Sequence, residues 1–125
     1  AKPKHTVIQS GDYKNRIRVS FVRTSGIRLR DGQFVSLTGT DLRPLYKLLK
    51  DYKFQVRRLY SDSEEKIQQD LNKLESQHCR VFADFNLTYD FILEPEQNSE
   101  EFIDKLNSLT IVERANPDVK IYLPS

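Results

Sequence analysis

The chain has 125 residues, 38% of them hydrophobic and 30% charged, and a formal net charge of +2. That length predicts one domain with a core that needs no staples, and the composition excludes wholesale disorder. The one cysteine, Cys79, excludes an internal disulfide framework and a cysteine-based zinc site, and no apolar run approaches the ~20 residues of a membrane helix.

Residues 1–15 read as a flexible lead-in. They carry basic residues but no apolar h-region and no small-residue cleavage site, so no signal peptide is expected. Residues 16–22 then alternate, with Ile17, Val19 and Phe21 on one side and Arg16, Arg18 and Ser20 on the other. Period two with β-branched residues predicts a half-buried strand. Two short alternating pieces follow at 27–30 and 34–37, bracketed by Ser25-Gly26 and Asp31-Gly32, which predicts a small inserted hairpin.

Thr40 or Asp41 is placed to cap a helix with apolar positions at Leu42, Leu45, Leu49 and Tyr52, and Pro44 falls in its first turn, where a missing N–H is harmless. A strand is expected over 55–60. Ser61/Glu64 or Asp62/Glu65 has capping-box spacing and opens an extra helix over 63–77, whose narrow stripe of Ile67, Leu71 and Leu74 places it at the core's edge. The clearest strand pattern is 83–93, where Phe85, Leu87, Tyr89, Phe91 and Leu93 alternate with Asn86, Thr88 and Asp90. Asn98-Ser99-Glu100-Glu101 caps a last helix that turns Phe102, Ile103, Leu106 and Leu109 inward. Residues 111–115 re-enter the sheet, Asn116-Pro117-Asp118 breaks it, and 119–123 form a second extended stretch.

With the hairpin and middle helix set aside, the order is β-α-β-β-α-β. One apolar face per strand and one stripe per helix predict an α+β, ferredoxin-like two-layer sandwich, an antiparallel sheet with helices on one face. The domain is expected over 16–118, with 119–125 as an extended tail. The other sheet face then lacks a helical cover and should display Asn86, Thr88 and Asp90, with Arg16, Arg18 and Ser20 beside them.

No Gly-rich phosphate loop or metal-spaced histidine pair occurs, so no catalytic residue, metal or cofactor is expected. The acidic pairs Glu64-Glu65 and Glu100-Glu101 sit in helix first turns, where dipole interaction accounts for them. Residues 1–60 hold 14 Lys/Arg and 4 Asp/Glu, whereas residues 61–125 hold 6 and 14. Such polarity fits a nucleic-acid face or two elements that pair, and the sum near zero favours pairing. An RNA module would need exposed stacking aromatics, but Phe85, Tyr89 and Phe91 share the expected core side. A phosphate-handling enzyme would have only Ser25-Gly26-Ile27-Arg28 as an anion loop.

The segment FILEPEQNSEEFIDKLNSLTIVERANPDVKIYLPS resembles the C-terminal half of subtilisin-like serine protease propeptides. Leu106, Leu109, Val112, Glu113, Ala115 and Pro117 occupy that family's Leu-x-x-Leu-x-x-Val-Glu-x-Ala-x-Pro positions. The match covers about residues 83–125 and, more loosely, the first strand and helix, while the hairpin and the helix at 63–77 depart from the compact family pattern. The resemblance implies a prosegment that is chaperone and temporary inhibitor of a cognate protease domain, monomeric when free, secreted or in the cell envelope. It implies no nucleic-acid or membrane partner. A standalone inhibitor on the same fold would read identically.

The resemblance further implies that the open face docks on two protease helices, with Asp90 and Glu113 as capping carboxylates and Asn86 and Thr88 beside them. Val119, Ile121, Tyr122, Leu123, Pro124 and Ser125 would lie extended in the substrate cleft, adding a strand to the enzyme. Two plainer readings stand beside these. The tail can be a final edge strand, and Asp90 can pair with Arg16 or Arg18 across neighbouring strands.

Overall fold

The structure, a computed structural model, describes residue 2 and residues 5–59, 63–78 and 85–119, for Val119 the backbone alone. Strand β1 spans Asp12–Phe21, β2 Ile27–Arg30, β3 Gln33–Ser36, helix α1 Arg43–Leu49 and β4 Phe54–Arg58. Helix α2 spans Glu64–His78, β5 Thr88–Leu93, α3 Ser99–Asn107 and β6 Val112–Val119. Four strands form one antiparallel sheet in the order β4-β5-β1-β6, and β2 pairs with β3 separately. Numbered along the chain, the four sheet strands lie 4-1-3-2, the ferredoxin-like arrangement.

One sheet face carries the core. Ile17, Val19 and Phe21 of β1, Tyr89, Phe91 and Leu93 of β5, and Val112 and Ala115 of β6 are buried there against Leu45 and Leu49 of α1 and Phe102, Ile103 and Leu106 of α3. Helix α3 starts where the sequence predicts, with the Asn98 side chain accepting the Glu101 N–H at 3.1 Å. Helix α1 is capped differently from expectation. Its N-cap is Leu42, with no side-chain bond of its own, while Asp41 accepts the Arg43 N–H at 3.0 Å from one position further out.

The hairpin is part of the core rather than an excursion. Its Asp31-Gly32 turn has both residues at positive φ (51° and 77°), the backbone of a tight hairpin turn. Phe34 of β3 lies 5.2 Å from Tyr89, 5.6 Å from Phe21 and 5.7 Å from Phe91, centroid to centroid. Helix α1 has only seven residues and buries two of them, so the hairpin covers the sheet area the helix leaves bare.

Helix α2 closes one end of the sandwich. Ser63 caps it, accepting the Lys66 N–H at 3.2 Å; Ser61 and Asp62, the expected caps, lie outside the described residues. Glu64 does not complete a capping box, since its carboxylate is held by Arg30 (Nη2–Oε1, 2.8 Å) and Arg28 (3.3 Å) of the hairpin. Ile67 and Leu71 are buried, but Leu74, expected in the same stripe, is 42% exposed.

Three further expectations are corrected. The lead-in is tied to α3: the Thr6 N–H donates to Asp104, the Ile8 N–H to Glu100, and β1 already begins at Asp12. Strand β5 begins at Thr88 rather than near 83. Phe85–Leu87 form a 3-10 turn with Phe85 46% exposed, because the flanking strands run out there: β1 at Phe21 and β4 at Arg58. Finally, β6 continues through Asn116-Pro117-Asp118, with a shift of register there: Pro117 lies opposite Ile17 and Val119 opposite Asp12. Proline is tolerated because β6 is an edge strand and the missing donor faces away from β1.

Candidate functional site

The sheet face opposite the core presents Arg16, Arg18 and Ser20 from β1, Thr88, Asp90 and Ile92 from β5, and Gln55 and Arg57 from β4. The pleat sends alternate residues there, and the antiparallel register sets Arg18 and Arg57 on either side of Asp90. Leu45, Leu48 and Leu49 of α1 and Phe102, Ile103 and Leu106 of α3 pack on the opposite side.

Asp90 is the centre of this face. Its side chain is 3% exposed, with Arg18 Nε 3.8 Å from Oδ1 and Arg57 Nη2 3.6 Å from Oδ2. Arg18 also reaches Asp118 of β6, Nη2 to Oδ1 at 3.1 Å, so one guanidinium links three strands. Both contacts to Asp90 are longer than hydrogen bonds, and Asp90 Oδ1 and Arg18 Nε are buried with no hydrogen-bond partner. Two guanidiniums therefore offset the desolvation of one carboxylate through charge alone, leaving acceptor capacity unused. This is the cross-strand pairing the alternation of β1 and β5 suggested, in its Arg18 form.

Thr88 lies beside it, with Ser20 Oγ 3.2 Å from Thr88 Oγ1. Asn86 does not belong to the face. In the 3-10 turn before β5 it is buried, its Nδ2 donates to the Glu64 carbonyl at 3.0 Å and its Oδ1 accepts from Arg58 at 3.4 Å. It joins α2 to the sheet end because strand alternation stops before it. Glu113 is exposed at a β-bulge, the residue skipped where pairing shifts from Ser20↔Arg114 to Phe21↔Val112. Of the expected cleft residues, Val119 closes β6 opposite Asp12, and Ile121, Tyr122, Leu123, Pro124 and Ser125 lie outside the described residues.

Two residues that matter here gave weak signals. Arg57 is one of several cations in its stretch, and only the β4–β5 register sets it opposite Asp90. Asp118 sits in what reads as a turn; the continuation of β6 brings it to Arg18.

The other loop of interest, Ser25-Gly26-Ile27-Arg28, spends its polar groups internally. Ser25 Oγ donates to the Val22 carbonyl at 2.6 Å and accepts the Ile27 N–H, while Arg28 binds the Ile27 carbonyl and Glu64. Nothing in that loop is left pointing outward to cradle an anion. Among the described residues, no group of three or more His, Cys, Asp or Glu could hold a metal ion, and no helix is long and apolar enough to cross a membrane.

Comparison with protein-family models, with curated proteins and with solved structures returned no match in any of the three.

Proposed function

We propose that this chain is a prosegment of a subtilisin-like serine protease, acting as intramolecular chaperone and temporary inhibitor of that domain. In this role the sheet face opposite α1 and α3 docks on the protease, and residues 120–125 lie extended in its substrate cleft.

The observation that carries the reading is Asp90, a buried carboxylate in the middle of a face that α1 and α3 leave uncovered, with one oxygen free of hydrogen bonds. Such an oxygen suits the orphan N–H groups and positive dipole end of a partner helix. Arg18 and Arg57 have side chains 41% and 56% exposed, free enough to swing aside and admit it.

The C-terminal pattern gives further support. Leu106, Val112 and Ala115 are buried where α3 meets β6, and Leu109 packs against them, so the pattern's apolar spacing reflects one helix–strand contact. Glu113 is the member of that pattern left exposed. Strand β6, at the sheet edge, carries the chain directly toward residues 120–125, where it can add to the cleft's backbone edges. A preformed sheet face also suits a chaperone, because a protease sheet of high contact order folds slowly without a template.

A ferredoxin-like binding module for RNA or a small ligand is the second reading, favoured by Arg16, Arg18 and Arg57 on the same face. Tyr89 and Phe91, the aromatics of the central strand, are in the core and offer no stacking there. Salt separates the two, since RNA binding falls steeply with ionic strength.

The test is inhibition of a subtilisin-type protease by the whole chain and by a chain ended at Val119, which keeps the last β6 pair. Inhibition that is tight and salt-tolerant with the tail, and lost without it, supports the proposal. A folded whole chain that fails to inhibit its cognate enzyme removes it.

A further inference from the structure

The sheet has two edges, and the molecule treats them differently. On β6, the Ala115 N–H and carbonyl, which point away from β1, are both taken by the Asn107 side chain. Pro117, next on that side, has no donor, and Lys2 Nζ donates to the Val112 carbonyl at 2.8 Å. That edge is blocked at Val112, Ala115 and Pro117. On β4 the bonds to β5 run through Lys53, whose carbonyl accepts the Glu94 N–H, and Leu59, whose N–H donates to Thr88. The intervening alternation turns the N–H and carbonyl groups of Phe54 and Val56 outward. Among the described residues β4 pairs with β5 alone. An edge left so is normally capped, charged or covered.

Beside this edge lies an open groove of ≈ 350 Å³ lined by Phe34, Tyr46, Leu49, Phe54 and Val56, with Lys50 at its rim. Around it the charge is one-sided. Residues 42–58 hold six Lys/Arg and one acid, Asp51. Lys47, Lys50 and Lys53 are exposed, and among the described residues no salt bridge engages them, whereas Arg43 is matched by Asp41 and Arg57 by Asp90.

We infer that the open edge of β4 and the apolar groove beside it form a docking site for an extended, acid-rich strand of a partner protein. The backbone groups of Phe54 and Val56 hydrogen-bond the incoming strand. Its apolar side chains enter the groove between β4 and the hairpin, where acids flanking them meet Lys47 and Lys50, and acids on its other face meet Lys53. This site is at the opposite edge from β6 and does not rest on the prosegment reading.

The probe is a fluorescent peptide of roughly ten residues, alternating valine and glutamate at its centre with glutamates at both ends, titrated with the whole chain. Expected results are saturable binding, slowed amide exchange at Phe54 and Val56, and at least about tenfold weaker affinity for the Lys47→Glu/Lys50→Glu/Lys53→Glu variant. These lysines are exposed, so the variant keeps its fold, and an unchanged circular dichroism spectrum verifies that. Methylating the peptide nitrogens that face β4 should abolish binding without touching the protein. The proposal is overturned if the peptide does not bind, or if protection appears away from β4. It is equally overturned if a valine–lysine peptide binds as well, or if a single-stranded RNA occupies the lysines and the acidic peptide cannot displace it.

Discussion

The Asn107 side chain satisfies the backbone of Ala115 twice, its Nδ2 donating to the Ala115 carbonyl at 2.9 Å and its Oδ1 accepting the Ala115 N–H at 2.8 Å. A residue at the end of α3 thereby does for an edge strand what another strand would do. Asn107 is 6% exposed, so both bonds are made out of water. Asn107→Ala leaves two backbone groups without partners and should cost about 2 kcal/mol. A urea midpoint lowered at constant slope is the expected reading; a loss below ~0.5 kcal/mol would mean that water enters and replaces the amide.

Glu64 ties α2 to the hairpin. Hydrogen bonds from Arg30 hold its carboxyl below the ordinary value of 4.5, against opposing burial and with help from the charges of Arg30, Arg28 and Arg58. A depressed folded-state pKa means stability that is fully present above pH 4.5 and lost as pH falls through the folded value. Glu64→Gln should therefore destabilise by roughly 1 kcal/mol at neutral pH, a figure discounted for solvent screening. Thermal unfolding across pH is the check, the two melting curves converging at the acid end. A gap that persists there would assign the effect to packing.

Gly26 and Gly32 both have positive φ, but their surroundings differ. A Cβ at Gly26 would lie 2.7 Å from Thr38 Cγ2 and 2.9 Å from the Thr38 backbone nitrogen, whereas nothing lies within 4 Å of one at Gly32. Gly32→Ala should cost only the left-handed penalty, about 1 kcal/mol, and Gly26→Ala at least about twice that. Equal losses in denaturant would show that the loop around Thr38 yields freely.

The segment before β1 is held by two carboxylates one helical turn apart on α3. The Thr6 N–H donates to Asp104 at 2.9 Å and the Ile8 N–H to Glu100 at 2.8 Å. The double variant Glu100→Gln/Asp104→Asn weakens charge-assisted bonds to neutral ones, so amide exchange at Thr6 and Ile8 should quicken by about tenfold. Global stability should barely move. Unchanged exchange at both amides would mean that something other than these carboxylates holds the segment.

Local signals carried much of this architecture. Asp31-Gly32 announced its hairpin turn and Asn98 its helix because the conformation required is that of a residue and its near neighbours. The alternation of β1 and the 88–93 part of β5 set the core face, and with it the placing of Thr88 and Asp90 opposite. Where local pattern misled, a distant partner was the cause. Phe85 and Asn86 continue the alternation of β5, but β1 and β4 give them no strands to pair with. Asn116-Pro117 reads as a break, and becomes strand because the donorless side of Pro117 faces away from β1.

From the sequence alone came the kinds of element, their order and the single apolar face of each, since periodicity and capping depend on residues a few positions apart. Tertiary structure decided that Arg18 and Arg57 flank Asp90, that Phe34 completes the core, and that Asn107 blocks one sheet edge while Phe54 and Val56 leave the other open. Those relations join residues up to dozens of positions apart in the chain. Their geometry follows from strand order and register, which no local spacing encodes.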